Sequence, residues 1–230
     1  MAGNARRRFD VLLVDFYGTI ADGDRAAVEA ACTAIVETCE LPLYPADFAV
    51  IWGERFFEVV AESNHEAFRT LCQCELVSLR ETLRRLDRDV DPQPFVQELE
   101  EYWRNPPVHS DALDFLSKVN LPVCCVSNAD TDALKAAIAR HGLRFDAVIT
   151  SESVRSYKPD EVIFRSALAR MDVQAHRTIH VGDSLHSDVG GANKLGISTA
   201  WICRDGRIHD IGDASPSWTV RSLVDVCNLL

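Results

Sequence analysis

Apolar and polar positions along this chain follow two different rhythms. Residues 9–15, FDVLLVD, form a near-continuous apolar run that ends in a carboxylate. Such a run suits a central parallel strand buried on both faces. Shorter apolar runs follow at 121–126, 147–150, 178–181 and 198–202, with helical spacing at 110–119, 130–141, 160–171 and 188–195. Strands that alternate with helices predict parallel βαβ units and a doubly wound sheet.

From about Asp22 to Arg104 the rhythm changes, and no strand pattern is found there. Phe68, Cys72, Leu76, Leu79, Leu83 and Leu86 recur at three- and four-residue steps and make one helical stripe. Segments 26–39, 47–61 and 94–104 also read as helices. A block of three to five helices inserted after the first strand predicts a cap over the sheet. The chain leaves it through Asn105-Pro106-Pro107, a stiff linker because each proline disfavours helix at the residue before it.

Composition narrows the function. The 230 residues have room for a core plus an insertion, and no apolar run approaches bilayer length. The start of the chain is polar and basic, with Arg6, Arg7 and Arg8, and reads as a solvated terminus rather than a signal peptide. Of eight cysteines, Cys124 and Cys125 sit in a buried strand pattern and behave as small hydrophobes. Cys72 and Cys74 lack a matching pair at zinc-site spacing. Reduced thiols in the cytoplasm are therefore expected. The net charge of −11 argues against nucleic acid or an anionic membrane as the main partner. A small anionic substrate stays open, because a metal ion and one lysine can reverse the field locally. Nothing in the sequence speaks to oligomeric state.

Four segments place polar residues at the C-terminal ends of predicted strands, the edge where open α/β sheets bind ligands. In Asp15-Phe16-Tyr17-Gly18-Thr19, a carboxylate ends the first strand and Gly18 permits a tight turn; Asp15 can serve as a nucleophile or simply cap that turn. Ser127-Asn128 ends the second strand and can hold an oxyanion or cap a helix. Lys158-Pro159-Asp160 brings one of only four lysines to the start of a helix, where it can neutralise a nucleophile and an anionic substrate or remain a surface loop residue. Gly182-Asp183-Ser184-Leu185-His186-Ser187-Asp188 offers two carboxylates around a turn, the oxygen donors that Mg²⁺ accepts. Helix capping accounts for Asp188 but leaves Asp183 unexplained.

In this order and spacing, the four segments resemble the haloacid dehalogenase superfamily over nearly the whole chain. The resemblance implies an α/β fold: a Rossmann-like doubly wound parallel sheet core over residues 1–21 and 105–230, with an inserted α-helical cap over residues 22–104. It implies that Asp15 is the nucleophile, oriented by Thr19. Ser127 and Asn128 would bind the transferred group, and Lys158 would neutralise charge. Asp183 and Asp188 would hold Mg²⁺ together with Asp15 and the backbone carbonyl of Tyr17.

One position departs from the superfamily's phosphatases. They carry a second Asp two residues after the nucleophile, which protonates the leaving group; here that residue is Tyr17. The D-x-Y-G-T pattern is similar to the L-2-haloacid dehalogenases, whose halide leaves without a proton or a metal. The dehalogenases' other site residues do not follow. Asp183 stands where they have Ser, Leu185 where they have Asn, Phe164 where they have Tyr, and Gly53 where they have a cap Arg, with Arg55 nearby. The Schiff-base chemistry of phosphonoacetaldehyde hydrolase is set aside, since 22–108 holds no lysine. The expectation is a Mg²⁺-dependent, phosphatase-type hydrolase acting on a small phosphorylated metabolite through an aspartyl phosphate. The alternatives are a metal-independent 2-haloacid dehalogenase forming an aspartyl ester, and a catalytically weak phosphate-binding interaction protein. Trp52, Arg55, His65 and Arg69 are possible cap contacts, and His65 and His186 possible substitutes for the missing acid.

Overall fold

Six strands form one parallel sheet in the order β3-β2-β1-β4-β5-β6: β1 (Val11–Val14), β2 (Val123–Ser127), β3 (Ala147–Thr150), β4 (Thr178–Gly182), β5 (Ser198–Ile202) and β6 (Trp218–Val220). This computed structural model describes residues 8–204 and 212–230. Arg6 and Arg7 of the basic triplet lie outside the described residues; the Arg8 guanidinium stands 4.5 Å from the Trp218 ring centroid.

The continuous apolar run of β1 is explained by burial on both faces. Leu12 and Val14 point into one core cluster with Val123 and Cys125, while Val11 and Leu13 point into a second with Cys124 and Val126. Alternate residues of a strand face opposite sides, so two adjacent strands supply both layers at once. Helices α5 (Ala112–Lys118), α6 (Thr131–Arg140) and α10 (Leu223–Val226) contribute Phe115, Leu134 and Leu223 to the first layer. Helices α8 (Glu161–Arg170) and α9 (Gly191–Asn193) contribute Phe164 and Ala192 to the second. Because β1 neighbours both β2 and β4, the chain reverses direction across the sheet there. That reversal opens a crevice at the C-terminal ends of β1 and β4.

Between β1 and β2 run α1 (Asp24–Thr38), α2 (Pro45–Glu62), α3 (Leu71–Arg85) and α4 (Gln93–Arg104). They pack on one another around Cys32, Ile35, Phe48, Trp52, Leu79, Leu83, Phe95 and Leu99. Two antiparallel chain segments tie this bundle to the sheet: Asp22 N–H donates to Pro107 O (2.8 Å), and His109 N–H donates to Ile20 O (3.0 Å).

Several elements differ from the sequence expectation, among them α7 (Ser151–Val154), a single helical turn that was not expected. The helix expected at 188–195 is instead a π-helical turn over Leu185–Gly190 followed by the short α9. Val189 N–H reaches back five residues to Ser184 O (3.1 Å), which widens the turn and carries Asp188 inward. The edge strand β6 was not expected; its three residues are too few to show an alternation.

Candidate active site

The crevice is built from the ends of three strands. Asp15 follows β1 directly, and its N–H donates to Val181 O of β4 (2.9 Å), which fixes it beside that strand. The next residues curl back on Phe16 O, which accepts from Thr19, Ile20 and Ala21 N–H. Gly18 takes φ 85°, in the left-handed region that favours glycine, and so permits this turn. Arg204, held by Asp111 at 3.0 and 3.1 Å, donates to Thr19 O (3.4 Å) from the end of β5.

Lys158 reaches the same point from the loop before α8. Asn128 fixes its backbone: Lys158 N–H donates to Asn128 Oδ1 (2.7 Å), and Asn128 Nδ2 donates to Lys158 O (3.1 Å). Lys158 Nζ then donates to Asp15 Oδ1 (2.6 Å), Asp188 Oδ1 (2.6 Å) and Val126 O (3.1 Å). Its three ammonium protons are thus all directed. Burial alone works against the ammonium, but Asp15 and Asp188 more than reverse this and hold Lys158 charged. Burial lifts the Asp15 carboxyl above its usual range, with Lys158 opposing. Asp188 is equally buried, yet Lys158 and His180, whose Nε2 lies 2.8 Å from Asp188 Oδ1, hold it well below the usual carboxylate range. Ser184 N–H donates to the other Asp188 oxygen (3.1 Å). Gly182 leaves space for this approach: a Cβ there would run into the Asp188 carboxyl.

Asp183 completes a triad. Thr19 Oγ1, expected to orient Asp15, instead donates to Asp183 Oδ1 (3.2 Å), and Trp201 Nε1 donates to Asp183 O (2.9 Å). Oxygens of Asp15, Asp183 and Asp188 lie within 4.8 Å of one another, and all three residues are buried. Three carboxylates against one ammonium leave a net two negative charges, which a hard divalent cation would cancel with oxygen donors it favours. The donor set therefore fits Mg²⁺. At the end of β2, Ser127 Oγ is buried without a hydrogen-bond partner among the described residues, so it remains available to a ligand.

The structure thus brings together Asp15, Thr19, Lys158, Asp183 and Asp188, with Asn128 acting through the Lys158 backbone. The Tyr17 side chain turns elsewhere: its hydroxyl donates to Trp103 O of α4 (2.7 Å). Burial, then Cys125 and the acids around it, drives the phenol pKa upward, so its proton stays on this tether. Further contacts hold the bundle down. Asp130 accepts from Leu71 N–H (2.6 Å) and Cys72 N–H (3.0 Å) at the start of α3, and Tyr157 Oη donates to Arg69 O (2.9 Å). Among the proposed cap contacts, Arg55 is spent on Glu58 and Glu81, Trp52 donates to Ser78, and Arg69 donates to Ser63. His65 is exposed beside Asp160, and His186 is exposed. Sequence reasoning missed His180, Asp130, Arg204 and the buried Glu75. A histidine inside the apolar run TIHV was the available signal for the first; the others depend on distant partners.

Residues 9–196 match the family of haloacid dehalogenase-like hydrolases. Over 228 residues, 95% of this chain and 96% of the relative, the chain is 26% identical to the (S)-2-haloacid dehalogenase H-109 of Pseudomonas putida. Over 95 residues, 40% of each protein, it is 35% identical to the ribulose-1,5-bisphosphate 5-phosphatase of Halopiger xanaduensis. Among solved structures, the HAD-hydrolase YfnB of Bacillus subtilis, bound to magnesium, shares the fold with a TM-score of 0.78 at 21% identity, covering 97% of this chain and 99% of that one. The relatives include dehalogenases and phosphatases, so similarity fixes the family and leaves the reaction to the site. The chain belongs to the haloacid dehalogenase-like hydrolases.

Proposed function

We propose that this hydrolase is a Mg²⁺-dependent phosphatase acting on a small phosphorylated metabolite, with residues 1–21 and 105–230 as catalytic core and 22–104 as cap. The observation that carries this reading is the third carboxylate, Asp183, placed with Asp15 and Asp188 against a single ammonium. A site that departs a halide needs no such excess of negative charge. Asp15, Asp183, Asp188 and the backbone carbonyl of Tyr17 would hold the ion, which when bound supplies charge neutralisation for the phosphoryl oxygens.

The chain's own residues then divide the work. The Asp15 carboxylate attacks phosphorus in line and forms an aspartyl phosphate, breaking the bond to the leaving oxygen. Lys158, held by Asn128, favours the ionised form of Asp15 against the effect of burial and faces the developing charge. Ser127 Oγ donates to a phosphoryl oxygen, and Thr19 orients Asp183. Water hydrolyses the intermediate. The cap excludes bulk solvent while closed. The eight free thiols suit a reducing cytoplasm.

A second reading is a metal-independent 2-haloacid dehalogenase. It is favoured by Tyr17 in the D-x-Y-G-T pattern and by the full-length similarity to the Pseudomonas putida enzyme. Asp183→Ser separates the two. The phosphatase reading expects Mg²⁺-dependent phosphate release from p-nitrophenyl phosphate to fall about 10²-fold or more. Unaltered phosphate release, still metal-dependent, would remove Asp183 from the ion site.

A further inference from the structure

His180 is a polar side chain in a layer that is otherwise apolar. It stands in β4 between Ile179 and Val181, which face the first core layer. Its own side chain therefore faces the second, where it meets Phe164 of α8 edge-on at 5.1 Å between ring centroids. The imidazole is wholly buried. Nε2 lies 2.8 Å from Asp188 Oδ1, while Nδ1 has no hydrogen-bond partner among the described residues. A carboxylate oxygen only accepts, so Nε2 carries the hydrogen of that bond. Leaving Nδ1 buried and unpaired costs stability, a cost that an apolar side chain at this place in the strand would not incur.

The contacts of Asp188 show what the imidazole contributes. An ionised carboxylate has about four lone-pair positions. Lys158 Nζ (2.6 Å) and His180 Nε2 (2.8 Å) both take Oδ1, and Ser184 N–H (3.1 Å) takes Oδ2. The position left over is on Oδ2, in a residue of the Asp15–Asp183–Asp188 triad. Lys158 has other duties. Its three protons already point to Asp15, Asp188 and Val126 O, so turning to a phosphoryl oxygen releases one of these acceptors. His180 makes no second hydrogen bond, and it stands on a strand that is paired on both sides, with β1 and with β5.

We propose that His180 is a positioning residue for the cation site: its Nε2–H fixes the Asp188 carboxylate so that Oδ2 is offered to Mg²⁺ while Lys158 turns to the substrate. This rests on the Mg²⁺-dependent reading of the site. His180 touches neither substrate nor cation and acts only through Asp188.

The test is Mn²⁺ binding to the full chain without substrate, followed by EPR of the free ion; Mn²⁺ stands in for Mg²⁺ because it accepts the same oxygen donors. His180→Phe keeps a buried ring beside Phe164 and removes the donor. His180→Gln puts an amide N–H where Nε2–H stood. His180→Phe is expected to raise the Kd by about 10–100-fold, and His180→Gln to stay within about threefold of wild type. Hydrolysis of p-nitrophenyl phosphate should follow the same order in the Mg²⁺ concentration that gives half the maximal rate. A residue that merely fills the core predicts the reverse, since Phe packs there without an unpaired nitrogen. An unchanged Kd in His180→Phe, or a loss in His180→Gln as large as in His180→Phe, would overturn the proposal. If His180→Phe fails to fold, the wild-type imidazole decides. Proton–nitrogen correlation NMR should show a hydrogen on His180 Nε2 and a shift of that signal when Mg²⁺ is added; a bare Nε2, or a signal indifferent to Mg²⁺, overturns the assignment. A wild type that binds no Mn²⁺ and releases no phosphate would instead bring down the Mg²⁺-dependent reading itself, and the role of His180 with it.

Discussion

At the scale of single residues, Lys158 carries the greatest consequence. It gives one ammonium to two carboxylates whose side chains are almost entirely buried. Lys158→Met would leave Asp15 and Asp188 without their cation, at a cost of about 3–5 kcal/mol. Urea unfolding at neutral pH should show it, and the deficit should shrink toward acid pH as the carboxyls protonate. An unchanged midpoint would mean that the ion pairs contribute nothing. The Lys158–Asp188 pair also sets the acid limit of stability. Because Asp188 is held below its ordinary 3.8, its contribution is present above that value and disappears as pH falls through its folded pKa. Glu75 has the opposite sign. Its contribution is complete below 4.5 and is lost as pH rises toward about 8, so Glu75→Gln should be relatively more stable than wild type at pH 8 than at pH 4.5. Calorimetric melts at the two pH values check this, and parallel pH profiles would contradict it. For turnover, Asp15→Asn is expected to abolish phosphate release with the fold intact, since an amide is a far poorer nucleophile than a carboxylate.

At the scale of elements, legibility followed the range of the interactions that shape each segment. β1 to β5 were visible because a strand buried on both faces must be apolar nearly throughout, and β3 and β5 appear with the expected bounds. The cap helices were visible through their stripes, and α3 runs Leu71–Arg85 beneath the pattern that announced it. The π-helical turn was hidden because its shape depends on Asp188 being engaged by Lys158 and His180, thirty and eight residues away. The same reason hid Glu75: whether a helical glutamate faces solvent or a bundle interior is decided by α1, not by its own neighbours in sequence. Two substitutions probe these junctions. Gly182→Ala puts a methyl into Asp188 and should lower kcat/KM by about 10²-fold, as expected for a small misplacement of site geometry. Asp130→Ala removes the acceptor for two N–H groups of α3 and should cost about 1 kcal/mol. Because it loosens the cap rather than the nucleophile, KM should rise more than kcat falls; a pure kcat loss would show that Asp130 serves the chemistry instead.

For the whole molecule, the sequence announced the family and the convergence of Asp15, Asp183 and Asp188, because these follow β1 and β4 and parallel strands align their C-terminal ends, while Lys158 joins them from the loop before α8. The substrate is less legible, since the cap contacts Arg55 and Trp52 turn out to be engaged within the cap. The helices of residues 22–104 are held on the sheet core by contacts spread across their junction, including Tyr17 with Trp103, Tyr157 with Arg69, and Asp130 with α3. With a net charge of −11, the anionic substrate of the proposed reaction would have to be drawn in by the local field of the site rather than by the protein as a whole. On that proposal the local reversal requires the cation, which makes metal dependence the point on which the account turns. The most direct measurement follows phosphate release and halide release in parallel, with Mg²⁺ and with excess chelator, on a panel of phosphate esters and L-2-haloacids. The account predicts phosphate release that requires Mg²⁺ and no halide release in either condition. Halide release that persists in chelator, without phosphate release, would contradict it and make the chain a dehalogenase.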